Sequence, residues 1–309
     1  MSFTTDIKQE LIEVNTSKLC CKKAELCSII CFGAHIRDNC LILRTENIAF
    51  ANHISRLCVS IFKKPAVIIK KATPGLYEVQ IANQSSLKLV LNKFELVKNA
   101  HDMKNFVSFH IPAEMLDKQC CKKAILRGAF LTAGSCAEPE KRYHLEISTN
   151  HFMLIRELLK IMEEYDIFGK IITRRSSSVL YLKGADHISD FLGYAGAMKA
   201  VLKLEEIRVT KDVKNNINRQ TNFEYANFSK TLDAGNAQAE AIKIIKDNIG
   251  ISALDENLQE LAELRLNHPD ISLKELGKML SEPISKSGIN HRLKKLTDIA
   301  EQIKEGKRK

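Results

Sequence analysis

Apolar residues recur at two periods along the first two thirds of the chain, and the order in which those periods alternate is itself repeated. The string Cys20-Cys21-Lys22-Lys23-Ala24, with Leu26, returns one hundred residues later as Cys120-Cys121-Lys122-Lys123-Ala124 with Leu126. A short identity can arise by chance, so the residues after each copy have to match as well. Each copy runs into an apolar helix (28–34, 128–134), then a turn at Asp38-Asn39 or Glu138-Pro139-Glu140, then a strand of period two (40–47, 143–150). Helical spacing resumes in 48–63, through Ile54, Leu57 and Ile61, and in 151–165, through Ile155, Leu158, Leu159 and Met162. Two short strands split by turn formers come next, 66–71 with 76–82 and 170–175 with 179–184, and a helix closes each half (85–96, 186–198). The pattern predicts an α+β fold of two αββαββα units, about 1–100 and 107–200, in a first domain spanning 1–205.

Beyond it the pattern changes. Residues 206–250 have no proline and pass from mixed to helical spacing, predicting a connector. Arg208, Lys211, Lys214, Arg219 and Lys230 make it basic, after Lys199 and Lys203, so it reads either as a solvated linking helix or as one that touches phosphates. Residues 251–309 predict an all-α module. A helix through Leu258, Leu261 and the Leu264 to Leu266 stretch is stopped by Pro269. Ser272 with Glu275 forms a capping box for a helix carrying Leu273, Leu276 and Leu280, and Pro283 marks a tight turn. Ser285 then caps a helix that turns Ile289, Leu293 and Leu296 inward.

The outer side of this last helix carries the chemistry. Between Pro283 and Thr297 the charged residues are Lys286, Arg292, Lys294 and Lys295, with no acid. Two helices joined by a tight turn, the second basic and amide-bearing, form a helix-turn-helix whose second helix fits the major groove of duplex DNA. Residues near the helix start face base edges, so Ser285, Lys286, Ser287, Asn290 and His291 are the base-side candidates, with Asn290 suited to adenine. Arg292, Lys294 and Lys295 are placed on phosphates. An oligomerisation helix would carry a second apolar stripe or mixed charges at salt-bridge spacing, and this one carries neither.

A length of 309 residues suits two domains, and 45% hydrophobic with 27% charged residues suits an ordered chain. The net charge of +10 favours a polyanionic partner, and it gains weight because part of it clusters on an element with docking geometry. No apolar run reaches the ~20 residues that cross a bilayer, and the first residues, with their acids, do not read as a secretion signal, so a cytosolic protein without a membrane partner is expected. Nine cysteines in that compartment read as reduced core residues, and without a CxxC pair zinc is not favoured. Cys27, Cys31 and His35 stand at i, i+4, i+8 and would share a helix face, but a small-residue seam explains the cysteines without an ion. Neither metal nor cofactor is expected.

The duplicated helices and strand order resemble the LAGLIDADG homing-endonuclease fold, in which two such helices pack at a pseudo-twofold axis. Ser28, Gly33, Gly128, Ala129, Ala133 and Gly134 would allow that close approach. The resemblance implies an acid at the penultimate position of each motif, where this chain has Gly33 and Ala133, so metal-dependent cleavage is not expected and no catalytic residue is assigned. Asp38 and Glu138 could form a displaced acid pair, although both sit in turns where acids are common. Arg44, Lys70, Lys71, Arg174, Arg175 and Lys183 lie in or beside strands, and part of that set could line a DNA-facing saddle or meet a protein partner. Several longer blocks, among them CCKKAILRGAFLTAGS, EKRYHLEIS, YLKGADHISDFLGYAGA, NRQTNFEYAN and SLKELGKMLSEPISKSGINHRLKKL, resemble the WhiA family of sporulation and cell-division regulators. That resemblance implies a nucleoid-associated, double-stranded-DNA-binding transcription regulator acting in cell division and chromosome segregation. An active endonuclease and a protein adaptor of the division machinery are the competing readings.

Overall fold

The computed structural model describes residues 2–96 and 109–306. The expected repeat edges at 97–100 and 107–108 and the end of the chain at 307–309 lie outside the described residues. The chain divides into two compact units, Met1–Lys211 and Asp212–Lys309.

The first unit opens with α1 (Phe3–Glu13), and the first repeat follows as α2 (Leu19–Gly33), β1 (His35–Arg37), β2 (Cys40–Thr45), α3 (Ile48–Phe62), β3 (Val67–Lys70), β4 (Tyr77–Ala82) and α4 (Leu87–Lys93). After a short α5 (Ala113–Leu116) the order returns as α6 (Gln119–Ala133), β5 (Gly134–Cys136), β6 (His144–Thr149), α7 (Phe152–Glu163), β7 (Lys170–Arg174), β8 (Ser177–Lys183) and α8 (Ala185–Ala195). The two antiparallel sheets have matching orders, β1-β2-β4-β3 and β5-β6-β8-β7, so the duplication read in the sequence is a duplication in space. Local chemistry sets the connections. Asp38 and Asn39 both take positive φ, 52° and 56°, as a two-residue hairpin of matching twist requires. Asn47 caps α3 by accepting the Ala49 and Phe50 N–H groups.

At the centre α2 and α6 pack with almost no room. Ser28 Oγ donates to the Ile125 carbonyl at 2.8 Å, and a Cβ on Gly128 would lie 2.6 Å from the Glu25 carbonyl oxygen. Three buried polar residues, which the sequence pattern did not reveal, tie the pair to its surroundings. Glu25 pairs with His53 Nε2 at 2.6 Å and with Arg127 Nε at 3.0 Å, while Arg127 also donates to Ala195 O and Thr16 Oγ1. Helix α1, also not predicted, buries Phe3, Ile7, Leu11 and Ile12 in the same core. His35 is not on the helix with Cys27 and Cys31. The helix ends at Gly33, and His35 stands exposed in β1, so the three-residue ligand face considered from spacing does not form. Cys27 and Cys31 are buried, and Cys31 Sγ donates to the His110 carbonyl.

The expected mixed connector is one helix, α9 (Met198–Asn248), within which the division between units falls. Several of its cations are engaged in the first unit: Lys203 with Asp6, Arg208 with Asp186 and Glu205, and Lys211 on the Pro139 carbonyl. The second unit adds a 3₁₀ turn at Ile251–Ala253, then α10 (Glu256–Asn267), α11 (Leu273–Met279) and α12 (Lys286–Gly306). Its core joins Ile242 and Ile245 to Leu258, Leu261, Leu276, Leu280, Ile289, Leu293 and Leu296. At about 1.5–3 kcal/mol for each fully buried aliphatic side chain, this stripe fixes which side of α12 faces inward. No helix among the described residues is long and apolar enough to cross a membrane.

Candidate nucleic-acid interface

The α11–turn–α12 segment is held by caps at both starts. Ser272 Oγ accepts the Glu275 N–H while the Glu275 carboxylate accepts the Ser272 N–H, the reciprocal pair expected from the sequence. The Ser272 hydroxyl also holds the Glu275 carboxyl below its ordinary pKa. In the turn, Glu260 of α10 accepts from both the backbone and the hydroxyl of Ser281, and the Ile284 N–H donates to the Gly277 carbonyl. Ser285 Oγ then accepts the Gly288 N–H at 3.3 Å, starting α12.

Burying Ile289, Leu293, Leu296 and Ala300 leaves the opposite side of α12 in solvent. Ser287, His291 and Lys294, at i, i+4, i+7, run along that side with Lys295, and all four are exposed. Lys286 and Asn290, also exposed, lie one step round the helix. With Lys274 of α11 and Asn227 and Lys230 of α9 they line an acid-free concavity. None of Lys286, Lys294 and Lys295 has an ion-pair partner among the described residues. Arg292 lies apart, half-buried on the α10 flank, where Nη1 donates to the Asn257 carbonyl at 3.3 Å. Ser285 is exposed at the cap.

Sequence reasoning missed two contributions. Lys274 of α11 lines the concavity with Lys286 and Asn290 of α12, a meeting across the turn that no local pattern states. Arg265 is almost completely buried, its Nη1 donating to the carbonyls of His268, Pro269 and Ile271, and burial lowers its pKa. Its spacing of four and seven from Leu261 and Leu258 was the available signal, hidden because arginine in a leucine run reads as a surface residue.

The first unit differs. Arg44 and Lys71 both contact Glu78, at 3.3 and 3.0 Å, and hold its carboxyl below the usual carboxylate range, with Lys71 the larger influence. Arg174 meets Glu146 at 3.0 Å, Arg175 occupies the turn after β7, and Lys183 lies over the Tyr181 ring. Three of the six, Arg44, Lys71 and Arg174, are therefore ion-paired within their own sheets. At the far end of the helix pair, a Cβ on Gly33 would lie 2.2 Å from Thr132 Cγ2, so an acid there requires the Thr132 side chain to move. The cleft beside Gly33 and Ala133 is lined by Thr4, Lys8, Arg44, Thr45 and a single acid, Glu46. Asp38 is exposed in its turn, while Glu138 accepts the Phe3 N–H at 2.8 Å and so caps α1.

The profile of the WhiA C-terminal HTH domain matches residues 217–300, and that of the WhiA LAGLIDADG-like domain matches residues 122–214. Among curated relatives, the probable cell division protein WhiA of Ruminiclostridium cellulolyticum is 41% identical over 98% of both chains. That of Clostridium tetani is 42% identical over 85% of each. The crystal structure of full-length WhiA from T. maritima superposes with a TM-score of 0.61 at 26% identity, covering 98% of this chain and 99% of that one. With both domains matched in order and relatives aligned over nearly the full length, the chain belongs to the WhiA family.

Proposed function

We propose that this protein is a sequence-specific, nucleoid-associated regulator of transcription that binds double-stranded DNA through α12 and acts in cell division and chromosome segregation, with sporulation in spore-forming relatives. The observation that carries the reading is the exposed face of the first turns of α12, which holds no acid between Lys286 and Thr297, in a helix-turn-helix capped at the start of each helix. Lys286, Ser287, Asn290 and His291 reach base edges beside the Ser285 cap. Lys294 and Lys295 grip phosphate, as does Arg292 through the donors it does not use on Asn257. The working division is a LAGLIDADG-like domain over 1–205, a basic connector over 206–250 and the DNA-binding module over 251–309. The first of these supports binding without cutting, since the two motif positions hold Gly33 and Ala133. The working location is the cytoplasm, on the nucleoid.

Selection of bound duplexes from a random pool by the full chain, repeated with Asn290→Ala, tests the assignment. An enriched motif that the variant loses supports it, and an absence of any enriched motif overturns it. A protein partner on the first unit is a compatible second reading, favoured by Val67 and Ile69, which stand exposed on the edge strand β3. Val67→Lys with Ile69→Lys would remove that partner while leaving DNA affinity unchanged.

A further inference from the structure

The first turns of α2 and α6 bring four thiols together. The Sγ atoms of Cys20, Cys21, Cys120 and Cys121 all lie within 4.8 Å of one another, and this is the one group of its kind among the described residues. Cys20 and Cys21 are 4.0 Å apart. Four thiolates around a single tetrahedral ion, each bonded at about 2.3 Å, stand about 3.8 Å from each other, so the observed spacing needs only small rotamer adjustments. A two-iron cluster spreads four thiolates over two irons and a four-iron cluster over four, so both need a wider frame.

The surroundings suit a closed thiolate site. Cys21 and Cys121 are buried beneath the cluster, whereas Cys20 and Cys120 are partly exposed, which leaves an entry path from solvent. Both pairs occupy the second and third positions of their helices, where the positive ends of two helix dipoles converge. Lys18, Lys22, Lys23, Lys118 and Lys123 stand in the flanking sequence and offset the double negative charge of a four-thiolate zinc centre. A bound dication deprotonates these thiols outright, releasing their protons to solvent.

We propose that Cys20, Cys21, Cys120 and Cys121 bind one soft divalent cation, zinc, as a four-thiolate clamp that joins the two repeats where their paired helices begin. With four protein ligands and no open position the site is structural, not catalytic. It lies at the opposite end of α2 and α6 from Gly33 and Ala133, and so is separate from the place where the endonuclease resemblance puts metal. The expectation that zinc is disfavoured rested on the missing CxxC pair. The structure instead builds a four-ligand set by superposing two adjacent-cysteine pairs through the internal repeat.

The test uses the full chain purified under reducing conditions, incubated with zinc sulfate and desalted. One zinc per chain is expected by atomic emission, falling to none in Cys20→Ser with Cys120→Ser and staying at one in Cys58→Ser. Cobalt(II) in place of zinc should give thiolate charge-transfer absorption and the intense visible bands of a tetrahedral site. Because the double variant could misfold, alkylation of the unaltered chain supplies a second reading: zinc should slow modification of these four cysteines severalfold and leave the partly exposed Cys40 unaffected relative to metal-free protein. The proposal is overturned by failure to retain zinc, by equal zinc in a folded double variant, by an octahedral cobalt spectrum, by iron–sulfur absorption, or by a disulfide among the four under these reducing conditions.

Discussion

Helices α2 and α12 divide the work of the molecule in opposite ways. Ten of the fifteen residues of α2 are buried, but only four of the twenty-one of α12. The first is therefore scaffold almost all round, pressed against α6 through Ser28 and Gly128. The second is anchored by one narrow stripe and leaves most of its remaining surface in solvent. Polar residues follow the same division. In the first unit they are consumed internally, Glu25 by His53 and Arg127, and Glu78 by Lys71 and Arg44. On α12 the lysines are left unpaired among the described residues. The LAGLIDADG-like unit spends its polar groups on framework, and the unpaired cations of α12 stand in the helix-turn-helix module.

The comparison breaks hardest where the scaffold is most dependent on one residue. Glu25→Ala leaves Arg127 and His53 buried without their acid and should cost about 3–5 kcal/mol of first-unit stability, read by denaturant unfolding. A loss below about 1 kcal/mol would show that solvent already screens the cluster. Restoring the missing acids, Gly33→Asp with Ala133→Asp, should produce no magnesium-dependent nicking of duplex DNA. It should instead destabilise the helix pair by about 1–3 kcal/mol, because the Gly33 Cβ meets Thr132. Cleavage by that variant would mean that the scaffold is still poised for catalysis.

On α12 the expected effects fall on binding. Asn290→Ala should cost about 1–3 kcal/mol on preferred sequences and little on others, whereas Lys294→Ala should weaken all sequences alike and lower the salt slope by about one. Titrations at several salt concentrations separate the two, and equal losses on every sequence for both variants would erase the distinction between base and phosphate contacts. Ser285→Ala removes the hydroxyl that accepts the Gly288 N–H and should lower second-unit stability by about 1 kcal/mol, measurable as a small shift in its melting temperature.

The parts legible in sequence were those with a local cause. Period-two strands, the Asp38-Asn39 hairpin, the Ser272–Glu275 box and the buried stripe of α12 are all written in neighbouring residues, and the one-hundred-residue repeat carried the topology. The hidden parts depend on residues distant in sequence. Glu25 meets Arg127 across the two repeats, and Glu138 caps α1 from the second repeat. Cys20 with Cys21 looks like half of nothing until Cys120 and Cys121 are set beside them. Lys71 and Arg174 read as free cations because the acids that hold them, Glu78 and Glu146, lie on other strands of their sheets.

The central claim, that the outer face of α12 lies against base pairs, is tested most directly by photocrosslinking. A benzophenone side chain placed at His291 in the full chain should crosslink to a bound duplex in high yield, and the same group at Lys70 on β3 should give far less. Retained DNA binding with no crosslink from position 291, or a dominant crosslink from position 70, would contradict the account.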